Sequence, residues 1–394
     1  MKPLVRRPMR APWVALFVVL LGCLPATEAF EPGVPARAIP PISALEDDVA
    51  ANEAAPRPAQ EEDAAVVIVV LDGTRWQDVF TGADTALASA AHVPAPSATE
   101  LMPRLHALLE DRGAALGASG AAMTASGPNF VSLPGYTEIF SGRRRHRCID
   151  NECAPTKSPT VFDEVRARAG GPGDVAVFSS WDRIERAATS DAASLVLSSG
   201  RSRLSHEALL RDDEATSAWL DEGRSAAAFP GKGDFRPDRF TGGLALRYLE
   251  TRRPRLLFLG LGEPDEYAHR GDYAGYLDSL RAADAILGDL FALLDRMGPR
   301  GEHTTVFVTA DHGRAHDYRV HGGRFPESSR VWLVAAGGDV KARGFVRSER
   351  AHHLADIAPT TRRLLGLPAD PARGAGLPID ELFEAPLAAT AMTR

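Results

Sequence analysis

The chain alternates short, continuous apolar runs with longer stretches in which apolar residues recur every three or four positions. The run from Val66 to Leu71 contains only Val, Ile and Leu and ends at Asp72. Such a run is typical of a strand that is buried on both faces of a sheet. The same pattern predicts further strands over Asp174–Ser179, Arg255–Leu261, Thr304–Thr309 and Arg330–Ala335.

Stretches with helical periodicity lie between these strands. They predict helices over Glu100–Arg112, Thr160–Ala169, Tyr273–Met297 and Leu354–Leu365. Alternating strands and helices predict an α/β fold with a mainly parallel central sheet and helices on both faces. In such sheets, functional sites form outside the carboxyl ends of the strands. Residues 189–239 are polar and follow neither pattern well, and we interpret them as an insertion that could form a cap over the site.

The N-terminal segment has the layout of a secretory signal. Basic residues precede the apolar run Trp13–Leu21, which is too short to span a bilayer comfortably. Two processing sites compete: cleavage after Ala29, or a lipobox-like Leu20-Leu21-Gly22-Cys23 in which Cys23 is lipidated; an uncleaved anchor is the third alternative. Residues 30–65 are rich in Pro, Ala, Glu and Asp and predict a flexible acidic linker. We therefore expect an exported protein, periplasmic or anchored to the outer membrane of a bacterium, with its folded domain over residues 66–394.

The composition excludes several classes of protein. Of 394 residues, 44% are hydrophobic and 25% are charged, which excludes a mostly disordered chain, a collagen-like repeat and a polytopic membrane protein. The formal net charge of −7 gives no indication of a nucleic-acid-binding surface. In an oxidising compartment, Cys148 and Cys153 favour a disulfide over a metal site, because no histidine–cysteine cluster completes such a site.

Carboxylates follow three of the predicted strands. Asp72 and Asp311 come at or just after strand ends, and Asp265 closely follows the strand that ends at Leu261. One such residue alone would ordinarily be a turn or cap residue, but the three would meet at one edge of a parallel sheet. Histidines accompany them: His269 is four residues after Asp265, so that one turn of helix aims both side chains at one point. His312 directly follows Asp311.

Glycines accompany the remaining histidines. Gly313 lets the chain turn after Asp311 and His312, and His321 stands before two glycines in a loop that can return to the site. Carboxylate and imidazole ligands without thiolates suit zinc better than manganese or iron. Two clusters of this kind predict two divalent cations about 4 Å apart, the spacing that serves phosphoryl transfer.

A hydroxyl nucleophile can lie beside these ions. Ser132 precedes Leu133-Pro134, and Pro134 is acceptable in a first helical turn, which places Ser132 at or just before a helix N-terminus. The backbone N–H groups and the dipole there favour an alkoxide and a phosphate. A plain helix-capping serine is the alternative interpretation. A metal-bound hydroxyl loses its proton readily, so Ser132 would need no histidine as a base.

The ordered set Asp72, Ser132-Leu133-Pro134, Asp265-x-x-x-His269, Asp311-His312-Gly313 and His321 resembles the alkaline phosphatase superfamily, in particular its type I phosphodiesterase/nucleotide pyrophosphatase branch. The resemblance covers residues 66 to about 367. It implies an alkaline phosphatase-like sandwich with one zinc on Asp265, His269 and His321. The other zinc would bind Asp72, Asp311, His312 and the nucleophile Ser132. It also implies that Asn151 binds a phosphoryl oxygen, in a loop that a Cys148–Cys153 disulfide would stiffen.

These residues predict an exported two-metal phosphohydrolase that cleaves phosphate mono- or diesters through a phosphoserine. Gly135-Tyr136 departs from the Asn-His of many pyrophosphatases, so nucleotide specificity is not implied. Tyr136 also stands where sulfatases have an Arg, which argues against a sulfohydrolase. A phosphotransferase of the cell envelope and a non-catalytic metal-binding homologue remain as alternatives. Arg183 or Arg186 could add the positive charge that monoester-specific relatives carry near the phosphate.

Overall fold

The computed structural model describes residues 64–118, 122–144, 147–372 and 374–383. The predicted signal segment with Cys23 and the predicted linker as far as residue 63 lie outside these ranges. Across the described ranges, no helix combines the length and the apolar character needed to cross a bilayer.

The central feature is a nine-stranded mixed sheet. A second, small sheet has three strands. In chain order, the strands of both sheets are β1 (Ala65–Leu71), β2 (Gly113–Leu116), β3 (Met123–Thr124), β4 (Val175–Ser179), β5 (Val196–Ser199), β6 (Arg203–Ser205), β7 (Leu256–Leu261), β8 (Thr304–Thr309), β9 (Arg330–Val331), β10 (Leu333–Ala336), β11 (Gly344–Phe345) and β12 (His352–His353). The order in the large sheet is β11-β2-β10-β8-β1-β7-β4-β5-β6, and the small sheet is β12-β3-β9. The five strands from β8 to β5 are parallel. The predicted α/β class with a mainly parallel sheet is thus confirmed.

Helices cover both faces of the large sheet. They are α1 (Trp76–Phe80), α2 (Thr85–Ala90), α3 (Ala98–Leu101), α4 (Pro103–Arg112), α5 (Ser132–Ser141), α6 (Val161–Arg168), α7 (Glu185–Ala188), α8 (Glu214–Ser225), α9 (Asp238–Arg252), α10 (Glu263–Arg270), α11 (Tyr273–Arg296), α12 (Pro299–Glu302) and α13 (Ile357–Leu364). Odd-numbered β1 residues pack on one side with α11, and even-numbered ones pack on the other side with α5, α6 and α13. Because side chains alternate along β1, they contribute to two separate hydrophobic cores, one on each face of the sheet.

Two predicted elements are divided in the structure. The helix predicted over Glu100–Arg112 is split into α3 and α4 because Pro103 cannot continue the ladder of the preceding turn and instead starts a new helix. The strand predicted over Arg330–Ala335 changes sheets at Trp332, so that β9 pairs with β3 while β10 pairs with β8.

Residues 189–239, interpreted from sequence as an insertion, form β5, β6, α8 and the connection to α9. The strands β5 and β6 lengthen the central sheet at its edge beyond β4. The following loop packs on α10: Arg270 donates to the carbonyl of Pro230 and places its guanidinium over the ring of Phe229. This segment thus supports the helix that carries Asp265 and His269.

Candidate metal centre

Three aspartates meet at the carboxyl ends of the three central strands β8, β1 and β7. Asp72 directly follows β1, Asp311 is the second residue after β8, and Asp265 lies in the first turn of α10, which starts two residues after β7. All three carboxylates are buried. The convergence follows from topology, since adjacent parallel strands end at one edge of the sheet.

The first cluster consists of Asp72, Asp311 and His312. The Nε2 atom of His312 lies 3.5 Å from Asp72 Oδ1 and 3.5 Å from Asp311 Oδ2. Neither of these two buried oxygens has a hydrogen-bond partner. Two ligands of a tetrahedral zinc ion, at bond lengths of about 2.0 Å, stand about 3.3 Å apart. The spacing of the three atoms therefore fits a shared cation.

The protonation of His312 strengthens this conclusion. Its Nδ1 lies 3.0 Å from the carbonyl oxygen of Gly313, and because a carbonyl can only accept, Nδ1 carries the proton. Burial holds the pKa of His312 well below its ordinary value, so the ring is neutral. A nitrogen lone pair therefore faces two carboxylate oxygens. A buried cation resolves this repulsion, and the carbonyl contact is the usual orientation of a metal-binding histidine.

The second cluster consists of Asp265, His269 and His321. His269 Nε2 lies 3.0 Å from Asp265 Oδ2 and 3.0 Å from His321 Nε2. The Nδ1 of His321 donates to the carbonyl of Phe130 at 2.9 Å, which again turns an Nε2 lone pair inward. Burial lowers the pKa of His321 to about 4. The ligand atoms of each cluster lie within 4.8 Å of one another, and the clusters adjoin, with His312 Nε2 3.9 Å from Asp265 Oδ1.

The electrostatics of the centre favour positive ions. Burial, followed by repulsion from Asp311 and Asp265, raises the pKa of Asp72 well above its ordinary value. Burial likewise raises the pKa of Asp311 to about 8, and repulsion from Asp265 adds to this effect. Both shifts express the cost of gathering carboxylates away from water without enough positive charge.

Ser132 is the first residue of α5 and lies beside the first cluster. Its Oγ is 3.4 Å from His312 Nε2, within 0.1 Å of the distance from this nitrogen to each of the two carboxylate oxygens. Gly135 lets the helix approach this closely, because a Cβ there would collide with the carbonyl of Asp311. The apolar residues Leu133, Tyr136, Ile139 and Phe140 anchor α5 in the core on one side of the sheet. The helix dipole favours negative charge at Ser132.

Asn151 lies against the same helix terminus. Its Oδ1 accepts a hydrogen bond from the backbone N–H of Leu133, the residue after Ser132, at 2.8 Å. A disulfide between Cys148 and Cys153, with a Cα–Cα distance of 5.3 Å, closes the loop that holds Asn151. The predicted pairing is therefore present in the structure.

Arg183 and Arg186, which the sequence offers as possible phosphate-binding residues, contact this loop. Arg183 donates to the carbonyl of Asn151 at 2.9 Å and pairs with Glu152. Arg186 donates to the carbonyl of Cys153 at 3.3 Å. Their guanidinium groups thus fix the backbone on either side of Glu152.

Two further residues of the centre were missed by sequence reasoning. The hydroxyl of Tyr136 donates to Asp72 Oδ2 at 2.9 Å, and the guanidinium of Arg314 pairs with Asp265 Oδ1. In the sequence, Tyr136 stands out only as a departure from residues found in related families, and the partner of Arg314 lies 49 residues upstream. Of these two residues, only Arg314 could have been linked to the centre from sequence, because it lies two residues after His312.

Part of the chain, including several residues of the centre, matches known proteins in sequence. Residues 244–369 match the model of the Metalloenzyme superfamily, a segment that contains all of the second cluster together with Asp311 and His312. A 2,3-bisphosphoglycerate-independent phosphoglycerate mutase of Synechococcus sp. (strain JA-2-3B'a(2-13)) is 30% identical over 140 residues, covering 32% of this chain and 24% of that protein. The enzyme of the same name from Halobacterium salinarum is 35% identical over 121 residues, covering 29% and 22%. The chain thus spans less than a quarter of the length of these curated relatives.

Solved structures share the fold over most of the chain. The alkaline phosphatase PafA aligns with a TM-score of 0.55 at 13% identity, covering 83% of this chain and 100% of that chain. A phosphonate monoester hydrolase of Agrobacterium radiobacter gives 0.52 at 17% identity, covering 82% and 77%. A 2-O GAG sulfatase gives 0.53 at 14% identity, covering 80% and 73%. The predicted alkaline phosphatase-like fold is therefore confirmed.

Proposed function

We propose that this chain, which has the fold of the alkaline phosphatase superfamily, is a metal-dependent phosphoric ester hydrolase with Ser132 as its nucleophile. One observation carries the proposal: His312 Nε2, Asp72 Oδ1, Asp311 Oδ2 and Ser132 Oγ converge, with the imidazole nitrogen 3.4–3.5 Å from each oxygen. Ligands spaced in this way support one cation, and the adjoining cluster supports a second. The donor set of carboxylates and imidazoles favours zinc.

The chain's own residues account for a double displacement. Two bound divalent cations would lower the pKa of the Ser132 hydroxyl and stabilise negative charge on phosphoryl oxygens. Ser132 Oγ attacks phosphorus in line and loses its proton, forming the phosphoserine ester as the bond to the alcohol oxygen breaks, and the departing oxygen takes up a proton and leaves as the alcohol. Water then attacks the same phosphorus, releases phosphate and returns the proton to Ser132. Throughout, Asn151 Nδ2 donates to a phosphoryl oxygen and the N-terminus of α5 favours the negative charge.

The contact of Tyr136 also bears on the alternatives. Its side chain stands where a sulfatase has an Arg, and its hydroxyl is engaged with Asp72. This arrangement disfavours a sulfohydrolase, although a 2-O GAG sulfatase and a putative sulfatase are among the solved structures with a similar fold. The N-terminal sequence supports an exported enzyme, which the mass of the mature protein recovered from cells would test.

The decisive experiment measures zinc content together with hydrolysis of p-nitrophenyl phosphate and bis-p-nitrophenyl phosphate at alkaline pH. Wild type is expected to bind two ions and to hydrolyse at least one of the two esters. Ser132→Ala should retain the metal and lose at least about 1,000-fold in kcat, because the variant lacks the hydroxyl that attacks phosphorus. Ser279→Ala is a matched control, since this buried serine on α11 only donates to the carbonyl of Tyr276.

Three results would count against the proposal. Full activity of Ser132→Ala would exclude Ser132 as the nucleophile, and activity of the metal-free enzyme would exclude a catalytic role for the cations. Turnover of sulfate esters alone, or turnover that requires an added alcohol, would identify a sulfohydrolase or a phosphotransferase.

A further inference from the structure

Arg314 places a buried positive charge inside the metal centre. Its side chain is fully buried, and its NH1 group donates to Asp265 Oδ1. The remaining donors hold the loop that follows His312: Nε donates to the carbonyl of Tyr318, and NH2 donates to the carbonyl of Arg319 at 3.2 Å. The guanidinium is thus fixed by the backbone and pairs with a single carboxylate.

The fold leaves room for this ion pair. Gly73, directly after Asp72, has a φ of +60°, and a Cβ at this position would collide with both Asp265 Oδ1 and Arg314 NH1. A glycine is therefore required at this point for steric reasons as well as for its backbone conformation. The turn after β1 and the loop after β8 close on the pair from two sides.

The carboxylate of Asp265 can serve two partners. Its Oδ2 faces His269 at 3.0 Å, in the second cluster, whereas Oδ1 accepts from Arg314. Arg314 can therefore stay in place when a cation binds to Oδ2. When no cation is bound, Arg314 offsets the repulsion among Asp72, Asp265 and Asp311, which burial would otherwise make costly.

We propose that Arg314 is a positioning residue of the centre, a built-in counter-charge that keeps the three aspartates assembled when the metal ions are absent. This inference rests on the proposed metal centre and concerns its metal-free state. Bound cations supply the same compensation, so the contribution of Arg314 to stability should be large without metal and small with it. A purely structural arginine would contribute equally to both states.

The test compares thermal unfolding of Arg314→Gln and wild type, each with zinc and after removal of zinc by a chelator. Metal-free Arg314→Gln is expected to melt at least about 5 °C below metal-free wild type, and the zinc-loaded pair should differ by less than half as much. Arg362→Gln is the matched control. Arg362 is also buried and pairs with a carboxylate, Glu164, outside the centre, so its loss should lower both forms equally.

Equal losses in both forms of Arg314→Gln would overturn the inference, as would no loss in the metal-free form. If Arg314→Gln does not fold even with zinc, Arg314→Lys keeps the charge and is compared in the same way. The lysine variant should melt near wild type in both forms, and an equal, large loss in both would again overturn the inference. Failure of wild type to gain stability from zinc would instead refute the proposed metal centre.

Discussion

Replacing Tyr136 with Phe removes one hydroxyl group from the centre and leaves the ring in place. The ring packs against Phe140, Phe258 and Trp181, contacts that Phe retains. The hydroxyl donates to Asp72 Oδ2 at 2.9 Å, and this hydrogen bond opposes the effect of burial on the pKa of Asp72. Without it, the carboxylate is harder to ionise and free to rotate away from His312.

The size of the effect follows from the charge on Asp72. A hydrogen bond to a charged group contributes about 1.5–3 kcal/mol, which corresponds to zinc binding that is about 10- to 150-fold weaker at the first cluster. Loss of an outer partner of a metal ligand has effects of similar size. The second cluster should keep its affinity, because Tyr136 contacts none of its ligands.

Chelator competition measures both zinc affinities of Tyr136→Phe. The matched control is Tyr248→Phe, because Tyr248 is equally buried but donates to the carbonyl of Gly173 at 2.8 Å, outside the centre. The control should bind zinc like wild type. If Tyr136→Phe also binds both ions as tightly as wild type, the hydroxyl does not orient Asp72 and the reasoning is refuted.

Three further predictions concern the loop, the helix and the first cluster. Replacing Cys148 and Cys153 together with Ser should lower kcat/KM at unchanged zinc content, because the loop then presents Asn151 less precisely; unchanged kinetics would contradict this. Burial raises the pKa of Glu138 to about 7, so its contribution to the free energy of unfolding is complete below about pH 4.5 and is lost as the pH rises through 7. In denaturant titrations, wild type should lose about 3 kcal/mol of stability relative to Glu138→Gln over this range. A stability difference between the two proteins that does not change with pH would refute this prediction. Asp311→Asn should lose zinc and activity together, and an active, metal-replete variant would exclude its role as a ligand.

Much of the fold could be predicted because its strands are buried on both faces. The uninterrupted run at Val66–Leu71 and the run at Thr304–Thr309 correspond to β1 and β8 within one residue at each end. The division of the strand at Trp332 could not be predicted from periodicity, because this change of sheet depends on partners distant in the chain. The strands β5 and β6 are short and partly polar, so the sequence shows no comparable pattern for the pairing of β5 with β4 or of β6 with β5.

Some residues of the candidate site could likewise be predicted from sequence, whereas others could not. Asp72, Asp265 and Asp311 could be brought together from sequence, because parallel strands share one edge and helical spacing adds His269. The turn attributed to Gly313 has a different cause: its φ is not positive, and the glycine is needed because a Cβ would collide with the carbonyl of Arg330. The contacts of Tyr136 and Arg314 depend on the packing of α5 and of the loop after β8, which no local pattern reveals.

Anomalous diffraction from zinc-soaked crystals would locate the cations themselves. The account predicts two peaks, one within bonding distance of Asp72, Asp311 and His312 and the other within bonding distance of Asp265, His269 and His321. Zinc bound only elsewhere, or no zinc at either cluster in crystals of active protein, would contradict the two-metal centre and the hydrolytic mechanism built on it.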